Sequence, residues 1–189
     1  MKKDEIKNID SLKNKLIAFP TDTVYGVGAL ISDSESIKRI YDLKERDFDK
    51  PLAVLVGTLD DAINLVEYLP KKAVDLIIKY WPGALTIICN KSENVPSSLN
   101  PKFSTIGIRM PNNKIALDIL RKFGPLATTS INHSGEDALN DYETIKRLYE
   151  EKIDYIFEND EDSSNVSSTV IEIKGDEIII IRQGNIEVY

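Results

Sequence analysis

Two hydrophobic patterns alternate along the chain, short apolar runs of strand length and stripes at helical spacing. Ile6, Ile9, Leu12 and Leu16 recur every three or four residues, which predicts a short amphipathic helix over Asp4 to Lys15 and then a strand over Leu16 to Phe19. Pro20 ends that strand, and Thr21, Asp22 and Thr23 follow as a turn. Gly26 and Gly28 sit in a second strand whose backbone is expected to be approached closely by another chain segment or a ligand. Asp33 or Ser34 can cap a helix that carries Ile37, Ile40, Tyr41 and Leu43 on one side. Leu52 to Val56 reads as a strand, and Thr58 with Asp61 starts a helix running through Tyr68.

The second half repeats the alternation. Pro70 opens a helix bearing Ala73, Leu76, Ile77 and Tyr80, and Trp81, Pro82 and Gly83 end it. Ala84 to Cys89 and Thr105 to Met110 read as strands on either side of a polar loop, followed by a helix using Ile115, Ile119, Leu120 and Phe123. Leu126 to Ser130 is a short strand, with a turn at Ser134 and Gly135. A helix over Tyr142 to Glu151, a strand over Ile153 to Phe157 and an acidic, serine-rich loop over Glu158 to Ser168 follow. Thr169 to Ile173 and Glu177 to Arg182, joined through Lys174, Gly175 and Asp176, form a closing hairpin. Strands alternating with helices predict an α/β domain, and the hairpin makes its sheet mixed. No repeat or linker divides the chain, so residues 1–189 are expected to form a single domain.

Composition narrows the class. At 189 residues, 42% hydrophobic and 29% charged, the chain has enough apolar material for a core without disulfides, and its one cysteine, Cys89, is expected to be a small core residue. The charged N-terminus and the lack of a long apolar run predict a cytoplasmic protein with no membrane partner. A net charge of −7 opposes general binding to a phosphate backbone, which leaves only a local basic cleft for anions. The sequence has no Walker-type loop, GxSxG, HExxH, CxxC or GxGxxG. What it does have is basic and hydroxyl residues near strand ends: Thr21, Lys44, Arg46, Lys50, Thr105, Arg109, Ser130, Asn132, Ser168 and Arg182. Guanidinium forks and hydroxyls suit phosphates and carboxylates.

The strings FPTDTVYGVGAL, KERDFDKPLAVLV, WPGALTIIC, TIGIRMP, TTSINHSG, SSTVIEI and IIRQG occur in this order from about Leu16 to Gly184. In order and spacing the chain resembles the YrdC-type threonylcarbamoyl-AMP synthase family, in its short single-domain form. The resemblance implies an open, twisted mixed sheet with flanking helices around a concave basic cavity. It implies the conversion of L-threonine, bicarbonate or CO2 and ATP to threonylcarbamoyl-AMP and pyrophosphate, with Mg2+ accompanying ATP. The product would feed a separate threonylcarbamoyl transferase acting on tRNA.

Position by position, the resemblance places Thr21, Arg109, Ser130 and Ser168 at L-threonine. It places Arg46, Lys50, Thr105, Asn132, Asn140 and Arg182 at ATP, and gives Lys44 and Arg46, the family's KxR pair, to catalysis. Asp22 and Thr23 are expected to hold the turn around Thr21. Leu55 stands where some members have a histidine, Ser167 replaces a proline before STV, and Gln183 replaces the proline of RPG. HSGEDALND departs from the usual SGxPSPT around Asn140, and His133 has no assigned role. An RNA-binding module using the same cavity without catalysis is the alternative, and a carbamoyl-handling enzyme with another acceptor is a third reading. The threonine-side residues Thr21, Arg109 and Ser168 favour the synthase, because RNA binding does not require them.

Overall fold

A computed structural model describes residues 1–132, 138–159, 161–175 and 177–188. It contains strands β1 (Ile17–Phe19), β2 (Gly26–Leu30), β3 (Ala53–Leu55), β4 (Leu85–Asn90), β5 (Thr105–Arg109), β6 (Leu126–Ser130), β7 (Tyr155–Ile156), β8 (Thr169–Lys174) and β9 (Glu177–Arg182). The helices are α1 (Ser34–Lys44), α2 (Leu59–Leu65), α3 (Lys71–Tyr80), α4 (Lys114–Phe123) and α5 (Tyr142–Tyr149). The expected first helix is shorter and tighter, a 3-10 turn over Lys3–Asn8. Its remaining apolar residues, Ile9 and Leu12, still enter the core from non-helical backbone. Asp33 caps α1 by accepting the Ser36 N–H, and Thr58, Asn113 and Asp141 do the same for α2, α4 and α5. The second of these helices stops at Leu65 rather than Tyr68, and α3 begins after Pro70, which serves as its N-cap.

The strands form one mixed sheet in the order β7-β1-β2-β6-β3-β5-β4-β8-β9. The β1/β7, β3/β5 and β4/β8 pairs are parallel and the other neighbours antiparallel. Side chains on a strand alternate between faces, and here the two faces receive different cover. Ala18, Val27, Val54, Ile87, Ile108, Ala127 and Ile171 share one cluster with buried residues of α1, α2, α3 and α5. Ile17, Phe19, Leu55 and Leu126 share another with α4 and the N-terminal 3-10 helix. Among the described residues, the second face is covered by one α-helix and one short turn of helix, so part of it stays open, and the cavity lies there.

Small residues keep the open face shallow. A Cβ on Gly28 would lie 2.9 Å from the Thr128 hydroxyl oxygen and 3.2 Å from both Phe19 and the Ala127 carbonyl oxygen. The close neighbour expected at these glycines is therefore the adjacent strand β6 and Phe19. Cys89 is buried in the helix-covered core, where desolvation pushes its thiol up to about 11. Among the described residues, no helix is long and apolar enough to cross a membrane. His133, the expected turn residues Ser134 and Gly135, and Asp176 of the hairpin turn lie outside the described residues.

Candidate functional site

The cavity encloses about 300 Å³ and is lined from seven consecutive strands, β2 through β9 in sheet order. Alternate positions supply its floor: Ala53 and Leu55, Thr86 and Ile88, Thr105, Gly107 and Arg109, Thr128 and Ser130, Ser168 and Val170. Period-two alternation thus turns strand sequences that look unremarkable singly into one surface of hydroxyls, small residues and cations. Arg46, Arg109 and Arg182 line it, and among the described residues no carboxylate does.

Arg109 is the most constrained of the three. Its residue is 6% exposed, and its guanidinium donates from Nε to the Gly83 carbonyl at 2.9 Å, from Nη1 to Thr23 Oγ1 at 2.8 Å and from Nη2 to Asp22 Oδ1 at 2.5 Å. Burial lowers its pKa and the Asp22 carboxylate opposes that shift. The division of labour in the PTDT turn differs from the sequence expectation. Thr21 Oγ1 closes the turn, accepting the Thr23 and Val24 N–H groups and lying 2.7 Å from the Val24 carbonyl oxygen as a donor. Asp22 and Thr23 instead direct their side chains to Arg109, because a buried cation needs acceptors more than a short turn needs a second brace.

Arg182 reaches the cavity through an irregularity in its strand. Ile180 pairs with Ile171, but Arg182 pairs with Val170, so Ile181 is an extra residue bulged out of the ladder. Ile171 belongs to the helix-covered core whereas Val170 lines the cavity. Unbroken alternation would place Arg182 on the same face as Ile180, and the bulge moves it to the other. There its Nε donates to the Ser168 carbonyl and its Nη2 to Ser168 Oγ, each at 3.1 Å. Ser168 Oγ lies 2.8 Å from Thr86 Oγ1. Arg182, Ser168 and Thr86 therefore form a polar chain across three neighbouring strands.

Gly184 keeps that chain in place. A Cβ there would lie 2.5 Å from the Thr169 nitrogen and 2.6 Å from the Ser168 carbonyl carbon, and closer still to the Ser167 carbonyl oxygen. All three are backbone atoms with nowhere to move except into the cavity wall. Gly184→Ala is expected to destabilise the fold by about 1–3 kcal/mol and to disturb Ser168. Denaturant unfolding with an unchanged midpoint would show the wall to be more yielding than this.

Arg46 follows α1 after Glu45, which takes the left-handed conformation (φ 50°) that ends the helix. Its Nε and Nη2 donate to the Lys50 and Pro51 carbonyls, curling the KERDFDKP loop so that the guanidinium faces the cavity. By its charge alone, this stretch reads from sequence as a solvated loop. Lys50, Asn132, Asn140 and Lys44 are not among the lining residues. The Asn140 side-chain oxygen accepts the Tyr25 N–H at 3.0 Å, which ties the 138–141 segment to β2.

Lys44 is 2% exposed, and its ammonium donates to the Ser130 carbonyl and, at 2.6 Å, to Asn132 Oδ1, which also accepts the Ser130 hydroxyl at 2.8 Å. Burial, aided by the Arg46 charge, lowers its pKa to about 8. Because the unfolded value lies near ~10.4, the burial penalty is present in full below pH 8 and is relieved as pH rises toward 10. In urea unfolding, wild type should gain stability relative to Lys44→Met across that window. A pH-independent difference would mean that Lys44 is not desolvated.

Taken together, the half-covered mixed sheet and its arginine- and hydroxyl-lined hollow define an α/β protein with a preformed anion-receptive cavity. A family model named Sua5_yciO_yrdC and described as "Telomere recombination" matches residues 11–184. The chain belongs to this family. It is 34% identical over 175 residues to a threonylcarbamoyl-AMP synthase of Pyrococcus abyssi, covering 92% of this chain and 52% of the relative. It is 34% identical over 179 residues to a Bacillus subtilis protein of the same name, covering 92% and 51%. The crystal structure of P. abyssi Sua5 complexed with L-threonine superposes with a TM-score of 0.84 at 34% identity, covering 90% of this chain and 50% of that one. The chain spans about half the length of these relatives.

Proposed function

We propose that residues 1–189 act as a single YrdC-like domain that forms threonylcarbamoyl-AMP and pyrophosphate from L-threonine, bicarbonate or CO2 and ATP. The observation that carries this reading is the convergence of Arg46, Arg109 and Arg182, with the hydroxyls of Ser130, Ser168, Thr86 and Thr105, on one cavity floor. The reaction needs such a floor because one anion attacks another. Threonine's amine adds to CO2 with loss of a proton to give a carbamate. A carbamate oxygen then bonds to the α-phosphorus of ATP as the bond to the bridging oxygen breaks and pyrophosphate departs. Preorganised cations can hold both reactants and stabilise the charge that spreads over the phosphoryl group.

Arg109 is assigned to threonine's carboxylate, beside Thr21, Ser130 and Ser168. Arg46, Arg182 and Thr105 are assigned to ATP. Lys44 acts through Ser130 and Asn132, whose positions its ammonium fixes, and Lys50 and Asn140 complete the nucleotide side only if the 46–51 and 138–141 segments draw inward on binding. Among the described residues, the lining groups offer guanidiniums and hydroxyls rather than the carboxylates that a resident Mg2+ would need. Mg2+ accordingly enters as the counter-ion of ATP, and no step is assigned to it. The product is destined for tRNA through a separate transferase, in the cytoplasm.

The test is exchange of radiolabelled pyrophosphate into ATP in the presence of bicarbonate, with and without L-threonine. Threonine-dependent exchange is expected. Its absence, with tight salt-sensitive RNA binding in its place, would favour the RNA-binding alternative.

A further inference from the structure

Asp22 does not line the cavity, yet it touches the most buried cation that does. Its Oδ1 accepts both Arg109 Nη2 and, at 2.9 Å, the Asn112 N–H from the loop between β5 and α4. Its backbone carbonyl accepts the Ser164 N–H at 3.0 Å, and the neighbouring Thr23 carbonyl accepts that of Asn165 at 2.9 Å. One residue behind the cavity wall thus joins the β1–β2 turn, the strand carrying Arg109 and the loop that leads into Ser168. Both Arg109 and Ser168 belong to the proposed threonine side.

Donor arithmetic gives this junction a purpose. A guanidinium has five N–H groups. Gly83, Thr23 and Asp22 take one each from Nε, Nη1 and Nη2, which leaves one N–H on each terminal nitrogen. Two N–H groups suffice for a single carboxylate, but only while the fork is held in one orientation. Thr23 and Gly83 restrain Nη1 and Nε, and Asp22 is the restraint on Nη2.

We infer that Asp22 is the positioning residue for the amino-acid subsite, its side chain acting as the hydrogen-bond acceptor that fixes the Arg109 fork. This rests on the proposed assignment of Arg109 to threonine's carboxylate. The acceptor matters here more than the negative charge, because one oxygen, Oδ1, carries the bonds from both Arg109 and Asn112. Asparagine can supply that oxygen. Alanine and serine cannot, the first having no acceptor and the second being too short.

The experiment compares wild type, Asp22→Asn, Asp22→Ala and Asp22→Ser in steady-state pyrophosphate exchange, varying threonine at saturating ATP and then ATP at saturating threonine. Removing the carboxylate from a buried guanidinium should lower the melting temperature of all three variants. The threonine KM should rise about 10- to 100-fold in Asp22→Ala and Asp22→Ser, stay within about threefold of wild type in Asp22→Asn, and leave the ATP KM unchanged in all of them. A purely structural role would make the threonine KM follow the melting temperature, so Asn would fail with the others. That result, or an equal rise in both KM values, overturns the inference. If Asp22→Ala does not fold, Asp22→Ser with Asp22→Asn decides the matter. A wild-type protein without threonine-dependent exchange would instead overturn the functional reading beneath it.

Discussion

Arg109→Ala is expected to raise the threonine KM by about 100-fold or more while the ATP KM stays within about threefold, because truncating a buried, hydrogen-bonded charge removes roughly 2–5 kcal/mol from the ligand that pairs with it. Three features make the effect large and one-sided. The guanidinium is buried, so its attraction for a carboxylate is little screened by water. Its removal leaves the Asp22 carboxylate facing the gap, where it would repel the substrate's own carboxylate. Arg46 and Arg182 are held by other partners, the Lys50 and Pro51 carbonyls and Ser168, and stay in place for ATP. Arg109→Lys should recover little, since an ammonium cannot reach Gly83, Thr23 and Asp22 together. Initial-rate kinetics in both substrates provides the check, and parallel changes in the two KM values would contradict the assignment.

Arg182→Ala is expected to act on the nucleotide side. It removes one of the three guanidiniums that line the cavity and empties the place beside Ser168. The ATP KM should rise about 10- to 100-fold, the range expected when one charge-assisted contact is lost. Deleting Ile181 provides the contrast. The run Ile178 to Ile181 has no period-two alternation, so the chain can drop one isoleucine and keep an apolar strand. Removing the bulged residue leaves Ile180 opposite Ile171 and brings Arg182 directly after it, still opposite Val170 on the cavity face. A deletion variant that folds, as judged by circular dichroism, should keep an ATP KM within about threefold of wild type. A rise as large as that of Arg182→Ala would show that facing the cavity is not enough and that the bulge itself sets the aim of this side chain.

That isoleucine run also marks how far the sequence could be read. Strands β2, β4, β5 and β6 were legible because glycine, proline and hydroxyl residues bound short apolar runs, and capping residues such as Asp33 and Thr58 fix helix starts locally. The hairpin was legible as a hairpin. Its register was not, because four isoleucines satisfy either face equally and only the partner strand decides between them. The 3-10 turn at Lys3–Asn8 shows the same limit at the other end. Ile6, Ile9 and Leu12 can be buried by a helix or by an irregular chain, and spacing alone does not distinguish these.

Within the site, resemblance placed Thr21, Arg46, Thr105, Arg109, Ser130, Ser168 and Arg182, and all seven line one cavity. Asp22 and Thr23 read as turn residues, and their partnership with Arg109 was not legible because it spans 86 or more residues of the chain. Lys44 carried the opposite signal. At the end of an amphipathic helix it looks like a solvated cation, yet the end of β6 lies close enough to bury it. Thr86 and Gly184 gave a weak signal at most, since each matters through backbone or side-chain atoms that only the assembled sheet brings near.

The sheet has one face fully roofed by four helices and the other roofed in part. An unroofed stretch of wall holding Ala53, Ile88 and Val170 among its hydroxyls leaves apolar surface in contact with water. Bound substrates would act as the missing layer, so the domain's resistance to heat should depend on their concentration. At a hundred times its dissociation constant, a ligand that binds only the folded state adds about 2.7 kcal/mol. A melting curve taken across a nucleotide or amino-acid titration then becomes a direct gauge of occupancy, independent of turnover.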